Sequence, residues 1–491
     1  MKLARGGNKS VGRMVLRGSA WLICGRFART LVTLVGTAIL ARLLTPADFG
    51  VAAVAAMILP LSIGLLEGLI DVPVNRDDEL DTASLSNLIW SSEVVMIGLA
   101  ALVWVTAPWL ATCLNSPALS DLLRALCFGL LLQPFVTAGY GLLRRQHRFQ
   151  VVALFLLVSG AVYVSIAVVL ALRGFGVWSL VLGQLASLLV TAGGLSVLAR
   201  IPVSPPRRIQ TLVAWRAGGV AFAARLLEWL VANIDTLFAS SVLGASGAGY
   251  YSRAYNFTTQ LKEPFAVVDQ TVRQAFLAQR NLDDAMASRA TLGGLRLVVL
   301  AASFVAASVI VLREAIVALL LGPQWGAVVA PLAILSASLP ARIARMYVDS
   351  FTYARGSMGH MLMRNIAILG LLGFGLWAWS GEGVTSIAFV VAAIHVVTLL
   401  FRGGTVDVAI AGSQMQRARA MAPGVLFAAC IVIAVESASV AIPLGTRYGD
   451  YLLRAGLLAC LGILGLMLLP REWIPMALRS RLPRLVSFFG Q

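Results

Sequence analysis

FAARLLEWLVANIDTLFASSVLGASGAGYY, residues 222–251, has the length and apolarity of a membrane span, yet it carries Arg225, Glu228 and Asp235. At about 100° per residue these three fall on one helix face, with Ala232 between them, while Leu, Val and Phe fill the other. A charge at bilayer depth is costly, so such a face turns to a polar partner or to water and marks a functional site by default.

The composition around this stretch agrees with it. The 491 residues are 59% hydrophobic and 12% charged, and that charge is about half of what a soluble domain carries. Runs of about 20 apolar residues recur, and hydrocarbon admits only helices or closed barrels, so the chain is predicted to be an all-α polytopic membrane protein. The net charge is +17. Arg and Lys gathered in cytoplasmic loops explain it, and no nucleic acid is expected as a partner. The cysteines (Cys24, Cys113, Cys127, Cys430, Cys460) are scattered with no CxxC and no His/Cys cluster, so neither a disulfide framework nor a metal site is indicated. His395 lies inside a span, where packing or cavity lining suits it better than ligation. The basic N-terminus resembles a signal peptide, but its apolar run is too long and is interrupted by Arg26 and Arg29, so it reads as a retained first span.

About fourteen spans follow from the apolar runs. They lie near Gly18–Leu40, Phe49–Ile70, Asn87–Ala107, Leu122–Leu142, Gln150–Leu172, Val177–Ala199, Trp215–Ser240 and Tyr250–Val272. The rest lie near Leu292–Leu312, Val328–Thr352, Leu362–Ser380, Val384–Leu400, Pro423–Ile442 and Leu452–Leu469. The Pro-rich, basic RIPVSPPRRIQ after span 6 is the best candidate for a linker. The expected organisation is a basic N-terminus (1–17), an N-lobe of six spans (18–199), a linker (200–214) and a C-lobe of six spans (215–402). A loop with two further spans (403–469) and a basic tail (470–491) complete it. An even number of spans puts both ends on one side. Loops and tails on that side hold roughly two dozen Arg and Lys against about four on the other, chiefly Arg42, Arg173, Arg313 and Arg447, so both termini are expected to be cytoplasmic.

Spans 1–2 and 7–8 look like copies of one unit. With Arg26 placed on Arg225, Arg29 falls on Glu228, Thr37 on Thr236, Leu44 on Leu243 and Gly50 on Gly249. Each copy has a charged pair at the same depth, a short outer turn and a Gly that opens the next helix. Both enter the membrane from the same side, as in transporters built of two parallel halves around a midplane site. Arg26 and Arg225 lie about nine residues inside their spans, on the order of 13 Å from the edge, which is too deep for easy snorkelling.

Three stretches carry a family likeness: ARLLTPADFGVAAVA (41–55), NIDTLFASSVLGASGAGYYSRAYNF (233–257) and LLLGPQWGAVVAPLAIL (319–335). With them the chain resembles the Wzx-type polysaccharide flippases of the multidrug/oligosaccharidyl-lipid/polysaccharide exporter superfamily, closest to the lipopolysaccharide and colanic-acid exporter branch. The resemblance covers about residues 15 to 470. It implies a bacterial inner-membrane protein with two six-helix lobes around a central cavity, two C-terminal helices and an alternating-access cycle. It implies as cargo an undecaprenyl-diphosphate-linked oligosaccharide, moved from the cytoplasmic to the periplasmic leaflet for exopolysaccharide, capsule or O-antigen synthesis. Membrane lipid, a polysaccharide polymerase and a chain-length regulator are the implied partners. Asp235 matches the family's aspartate before the outer turn. Phe276-Leu277 departs from the family, where many members have Phe-Pro.

Arg suits a diphosphate, because its planar fork binds phosphate oxygens bidentately and stays charged. Arg26, Arg29 and Arg225 are therefore the candidate diphosphate site, and Glu228 and Asp235 the charge-balancing or coupling groups. No cofactor is expected, though one of these carboxylates would take up H+ or Na+ for coupling. Against this stands a structural reading, in which Arg225 and Glu228 pair with each other or Arg29 and Glu228 tie the lobes together. Arg253, near the outer end of span 8, and Arg342 are weaker candidates. Arg342 shares a face of span 10 with Arg345 and Asp349, the last two placed like a snorkelling pair. Glu67 and Asp71 fit a solvated span end, and Glu93 and Glu436 stand alone. Two other classes compete. A proton- or sodium-coupled multidrug exporter of the same superfamily would want acidic rather than basic groups at depth. A membrane glycosyltransferase or polymerase would need sizeable polar loops, which the chain lacks; matched buried charges in both halves argue against a non-transporting assembly scaffold; and the absence of a P-loop pattern argues against ATP hydrolysis, so no enzymatic activity is expected.

Overall fold

The computed structural model describes residues 8–71, 73–74, 81–202, 211–266, 284–354, 358–379, 383–399, 414–442 and 446–468. The readings of residues 1–7, of most of the linker, of Phe276-Leu277 and of the 470–491 tail lie outside these. Among the described residues every regular element is helical. In chain order these are α1 (Asn8–Leu43), α2 (Pro46–Ala56), α3 (Ile58–Leu66), α4 (Thr82–Cys113), α5 (Pro117–Arg145), α6 (Phe149–Leu172), α7 (Trp178–Leu198) and α8 (Thr211–Gln260). There follow α9 (Asp284–Leu320), α10 (Val329–Ala337), α11 (Leu339–Ala354), α12 (Met358–Ala378), α13 (Val384–Val397), α14 (Gln414–Ala441) and α15 (Arg447–Leu468). A helix falls on each predicted span. Nine among the described residues are long and apolar enough to cross a membrane, or ten if Pro323–Ala337 and Leu339–Asp349, bent by 42°, count as one. Large apolar side chains such as Val105, Trp109, Phe128 and Leu189 stand exposed on these helices, as contact with lipid tails requires.

Several spans are less regular than their hydropathy suggests. Span 2 breaks at Met57 into α2 and α3 and ends in a π-helical turn, Glu67–Asp71. Pro60 causes the break, because it has no N–H to give the preceding turn. One carbonyl of that region, on Met57, accepts the indole N–H of Trp229 at 2.8 Å. Spans 7 and 8 are joined by only a sharp bend at Gly244, whose φ of 69° is one that Gly adopts at no steric cost.

The chain divides into two compact units. The first comprises Met1–Arg253, Val317–Val328 and Asn365–Ile387. Within it α1 packs along α6, α4 along α5, and α7 against both α5 and α6. The α1–α6 seam is built on small residues. A Cβ added at Gly25 would lie 2.7 Å from the Cβ of Ala153, and one at Gly36 would lie 2.3 Å from a methyl of Val164. Helices in lipid gain no hydrophobic drive from meeting each other, so close approach at Gly and Ala supplies the contact instead. Leu66, Ile70, Ile89, Met96, Leu122, Leu126 and Leu130 fill the centre of this unit.

The second unit comprises Ala254–Ile316, Val329–Arg364 and Ala388–Gln491. Here α14 and α15 pack together and against α9 through Ala307, Val311, Ile431, Val435 and Leu458. An ion-pair chain fastens the same three helices. Glu436 holds Arg313 and Arg454, and Arg454 also holds Asp450 at 2.9 Å. Glu436, isolated in the sequence, is thus a three-helix tie.

Candidate functional site

Two centres of the first unit concern the predicted site. One surrounds Arg225. Its Nη2 donates to Glu67 Oε2 at 2.8 Å and its Nη1 to Glu228 Oε2 at 3.1 Å. The Arg stem lies against Gly64, one turn before Glu67, where an added Cβ would be in ordinary contact with it at 3.8 Å. All three charged side chains are nearly half exposed. One cation shared by two carboxylates in the span interior leaves a net negative trio with open hydrogen-bonding capacity. The pairing of Arg225 with Glu228 was foreseeable from their spacing. Glu67 was not: its position at a span end suggests only solvation, whereas the π turn places its carboxylate on Arg225.

Arg26 and Arg29 are exposed on α1. The Cγ of Arg29 rests on Gly160 of α6, 3.2 Å from where a Cβ would be, and Tyr140 of α5 is within its electrostatic reach. Among the described residues neither Arg26 nor Arg29 makes an ion pair, and the Arg29–Glu228 tie is absent. Two uncommitted guanidinium groups remain on α1, while Arg225 is engaged on α8.

Asp235 is different in kind. It is 2% exposed, accepts from the Thr236 N–H at 2.7 Å and from the Tyr251 hydroxyl at 2.5 Å. It therefore clamps the two arms of α8 across the Gly244 bend.

The second centre lies where the two repeat copies meet. α2 begins at Pro46 and the second arm of α8 at Ala245, which are equivalent positions of the repeat. The first copy starts with a capping box: Thr45 Oγ1 accepts from the Asp48 N–H and the Asp48 carboxylate accepts from the Thr45 N–H. A Cβ on Gly50 would lie 1.8 Å from the carbonyl oxygen of Ala245, and one on Gly249 would lie 1.9 Å from that of Pro46. The contact is reciprocal, with each copy's Gly on the other copy's first helical carbonyl. The predicted repeat is thus expressed as two-fold-like packing.

Trp325, fully buried, sits over this crossing. Its indole N–H donates to Ala41 O at 2.9 Å, and Phe49 and Tyr250 meet its ring edge-on. Gln324 donates to the carbonyls of Ala41 and Leu44, and Arg42 donates to Leu319 O at 3.0 Å. Arg253 lies over the Phe49 ring, its Cζ 4.6 Å from the centroid. The three motifs at 41–55, 233–257 and 319–335 converge here. The sequence marked them as motifs but not as neighbours. Trp325 and Gln324 are the residues that reading missed, and their signal was the polar QW pair between two glycines in an apolar run.

In the second unit Arg342 is 6% exposed; it donates to the hydroxyls of Thr258 and Thr259, both at 3.2 Å, and lies over the Tyr255 ring. Asp349 is bidentate to Arg364 of α12 at 2.5 and 2.9 Å, a partner the sequence did not suggest, and is also within electrostatic reach of the predicted Arg345. Among the described residues no cluster of His, Cys, Asp or Glu has the makings of a metal site.

Residues 39–330 match the sequence profile of a family described as "Polysaccharide biosynthesis protein". The chain is 29% identical over 255 residues to the succinoglycan biosynthesis transport protein ExoT of Rhizobium meliloti (strain 1021), a match spanning half of each chain. It is 22% identical over 404 residues to the teichuronic acid biosynthesis protein TuaB of Bacillus subtilis (strain 168), covering 80% of this chain and 82% of that one. Among solved structures, the lipid II flippase MurJ in an inward closed conformation superposes with a TM-score of 0.72 at 12% identity, over 91% of this chain and 97% of that one. An inward-facing multidrug resistance MATE transporter of the MOP superfamily gives 0.56 at 17% identity, over 82% and 95%. The fold is that of these transporters.

Proposed function

The chain belongs to the polysaccharide biosynthesis protein family, and from that premise we propose that it is a flippase for a lipid-linked glycan in a bacterial inner membrane. The cargo in this reading is an undecaprenyl-diphosphate-linked oligosaccharide destined for a surface polysaccharide. It crosses from the cytoplasmic to the periplasmic leaflet by alternating access, handed on to a polymerase and chain-length regulator.

Two observations support this: the half-exposed Arg225 trio, and two exposed arginines on α1 that make no ion pair among the described residues. A flippase must hold an anionic diphosphate within the membrane while the polyprenyl tail stays in lipid. Arg26 and Arg29 are free to meet it. Arg225, held by Glu67 and Glu228 when the site is empty, changes partner when phosphate arrives, and the released carboxylates supply a place for H+ or Na+. Binding then shifts the equilibrium between access states by as much as the ligand prefers one of them.

The test is a deletion strain scored for surface polysaccharide and for lipid-linked intermediate trapped on the cytoplasmic leaflet. Wild-type protein restores export. Arg26→Gln, Arg29→Gln and Arg225→Gln, at equal protein level, do not. A deletion that leaves polysaccharide intact and instead sensitises the cell to drugs refutes the proposal.

A further inference from the structure

The second unit holds a group of basic side chains that no part of the reading above employs. Lys262 stands at the end of the Arg225–Ala266 span, Arg342 and Arg345 lie one turn apart on α11, and His395 is on α13. They lie near one another: Leu261 and Phe265, on either side of Lys262, pack against Leu339 and Ile343 of α11, Leu399 just after α13 packs against Ala344 and Tyr347, and Lys262 is within electrostatic reach of both arginines and His395 of all three.

Among the described residues their surroundings neutralise them only in part: Asp349 is within electrostatic reach of Arg345, and Glu263 of Lys262. Arg342 is fixed by the Thr258 and Thr259 hydroxyls, which are neutral. Asp349, the nearest acid on α11, is bidentate to Arg364. Glu263, beside Lys262, is exposed. Among the described residues neither Lys262 nor Arg345 makes a salt bridge. Two buried nitrogens in the group, Arg345 Nη1 and His395 Nδ1, also have no hydrogen-bond partner there. Buried donors are ordinarily satisfied, and an orphan in a native fold calls for an explanation. Like charges gathered within a span cost still more. An absent anion accounts for both facts at once.

We propose that Lys262, Arg342, Arg345 and His395 form a second anion site that takes a phosphoryl group. Among the described residues, three basic groups against one committed and one exposed carboxylate leave a surplus that matches a divalent oxyanion better than a single carboxylate. Arg345 offers its unpaired Nη1, Lys262 adds a second basic group, and His395 Nδ1 adds a neutral donor. Arg342, already held by the threonines, orients the group and supplies field. The chemistry would be met by the diphosphate of a prenyl-linked glycan or by an anionic lipid headgroup. Only the first of these origins rests on the flippase reading; the site itself does not.

The experiment uses the full chain in neutral phosphatidylcholine nanodiscs, with thermal unfolding and calorimetric titration as readouts. Inorganic pyrophosphate should raise the unfolding midpoint, and Lys262→Gln and Arg345→Gln should each weaken its binding on the order of tenfold or more. Arg26→Gln and Arg225→Gln serve as controls for the first unit. In the absence of anion, Arg345→Gln should unfold no earlier than wild type, because it removes repulsion; a structural salt-bridge role would make it unfold earlier. Replacing part of the lipid with phosphatidylglycerol gives the second arm. Protection by that lipid that is lost in the same variants assigns the site to a headgroup. Protection by pyrophosphate alone assigns it to a soluble or prenyl diphosphate. The proposal is overturned if neither anion protects wild type, or if the variants respond as wild type does. Failure of wild type to respond to either anion, with export intact, would remove this site and leave the flippase reading standing.

Discussion

Gly50 lies so close to Ala245 that a methyl group on its Cα would sit 1.8 Å from the Ala245 carbonyl oxygen. Backbone on both sides leaves nothing flexible to yield. Gly50→Ala should therefore destabilise the protein by about 1–3 kcal/mol, the usual range for overpacking. Gly249→Ala should do the same, and the double variant should cost less than the sum, since both open one interface. Gly98→Ala, where no atom lies within 4 Å, is the control and should be neutral or slightly stabilising. Thermal unfolding of the purified variants checks this.

Trp325 separates ring packing from hydrogen bonding. Trp325→Phe keeps most of the aromatic contact with Phe49 and Tyr250 but leaves Ala41 O without the indole donor. Gln324 still donates to that carbonyl, so a loss of about 0.5–1.5 kcal/mol is expected. Trp325→Ala should lose about 3–5 kcal/mol, as large-to-small changes in a full core do. Equal losses from the two variants would show that packing contributes little.

Arg225 tests stability against transport. Its ion pairs are nearly half exposed, so solvent screens them and Arg225→Gln should cost no more than about 1 kcal/mol. The variant should accumulate to wild-type level yet fail to restore surface polysaccharide. Normal export by this variant would leave the trio with a structural role only.

Asp235 and Tyr251 are both buried and share a hydrogen bond. Tyr251→Phe removes a donor to a carboxylate and should destabilise by about 1.5–3 kcal/mol. If Asp235 carries a coupling ion, Asp235→Asn should abolish export at protein levels where Tyr251→Phe still retains some. Identical export from the two would make Asp235 a clamp of the Gly244 bend and nothing more.

Much of the architecture could be read before any coordinates. Hydropathy put an apolar run wherever a helix lies, nine or ten of them long and apolar enough to cross a membrane among the described residues, and the match of Leu44 with Leu243 and of Gly50 with Gly249 located both turns of the repeat. The breaks were harder. Pro60 was visible, but that Trp229 would take the Met57 carbonyl depends on α8 lying beside α3. Charged residues were legible as a set and not as pairs: Glu67, assigned to solvent, meets Arg225, and Asp349, placed with Arg345, meets Arg364.

The sequence by itself determined that this is a helical membrane protein, where its spans lie and which positions repeat, because hydropathy and spacing are properties of short segments. Only the tertiary structure decided that Gly50 rests on Ala245 and Gly249 on Pro46, that three separate motifs close around Trp325, and that four basic side chains, from the turn after α8 and from α11 and α13, gather in one unit. Those facts turn on which helix faces which, and at what rotation. Apolar side chains on all sides of a membrane helix give no periodic signal for that choice, so it is set by the fit of small residues and polar partners far apart in the chain.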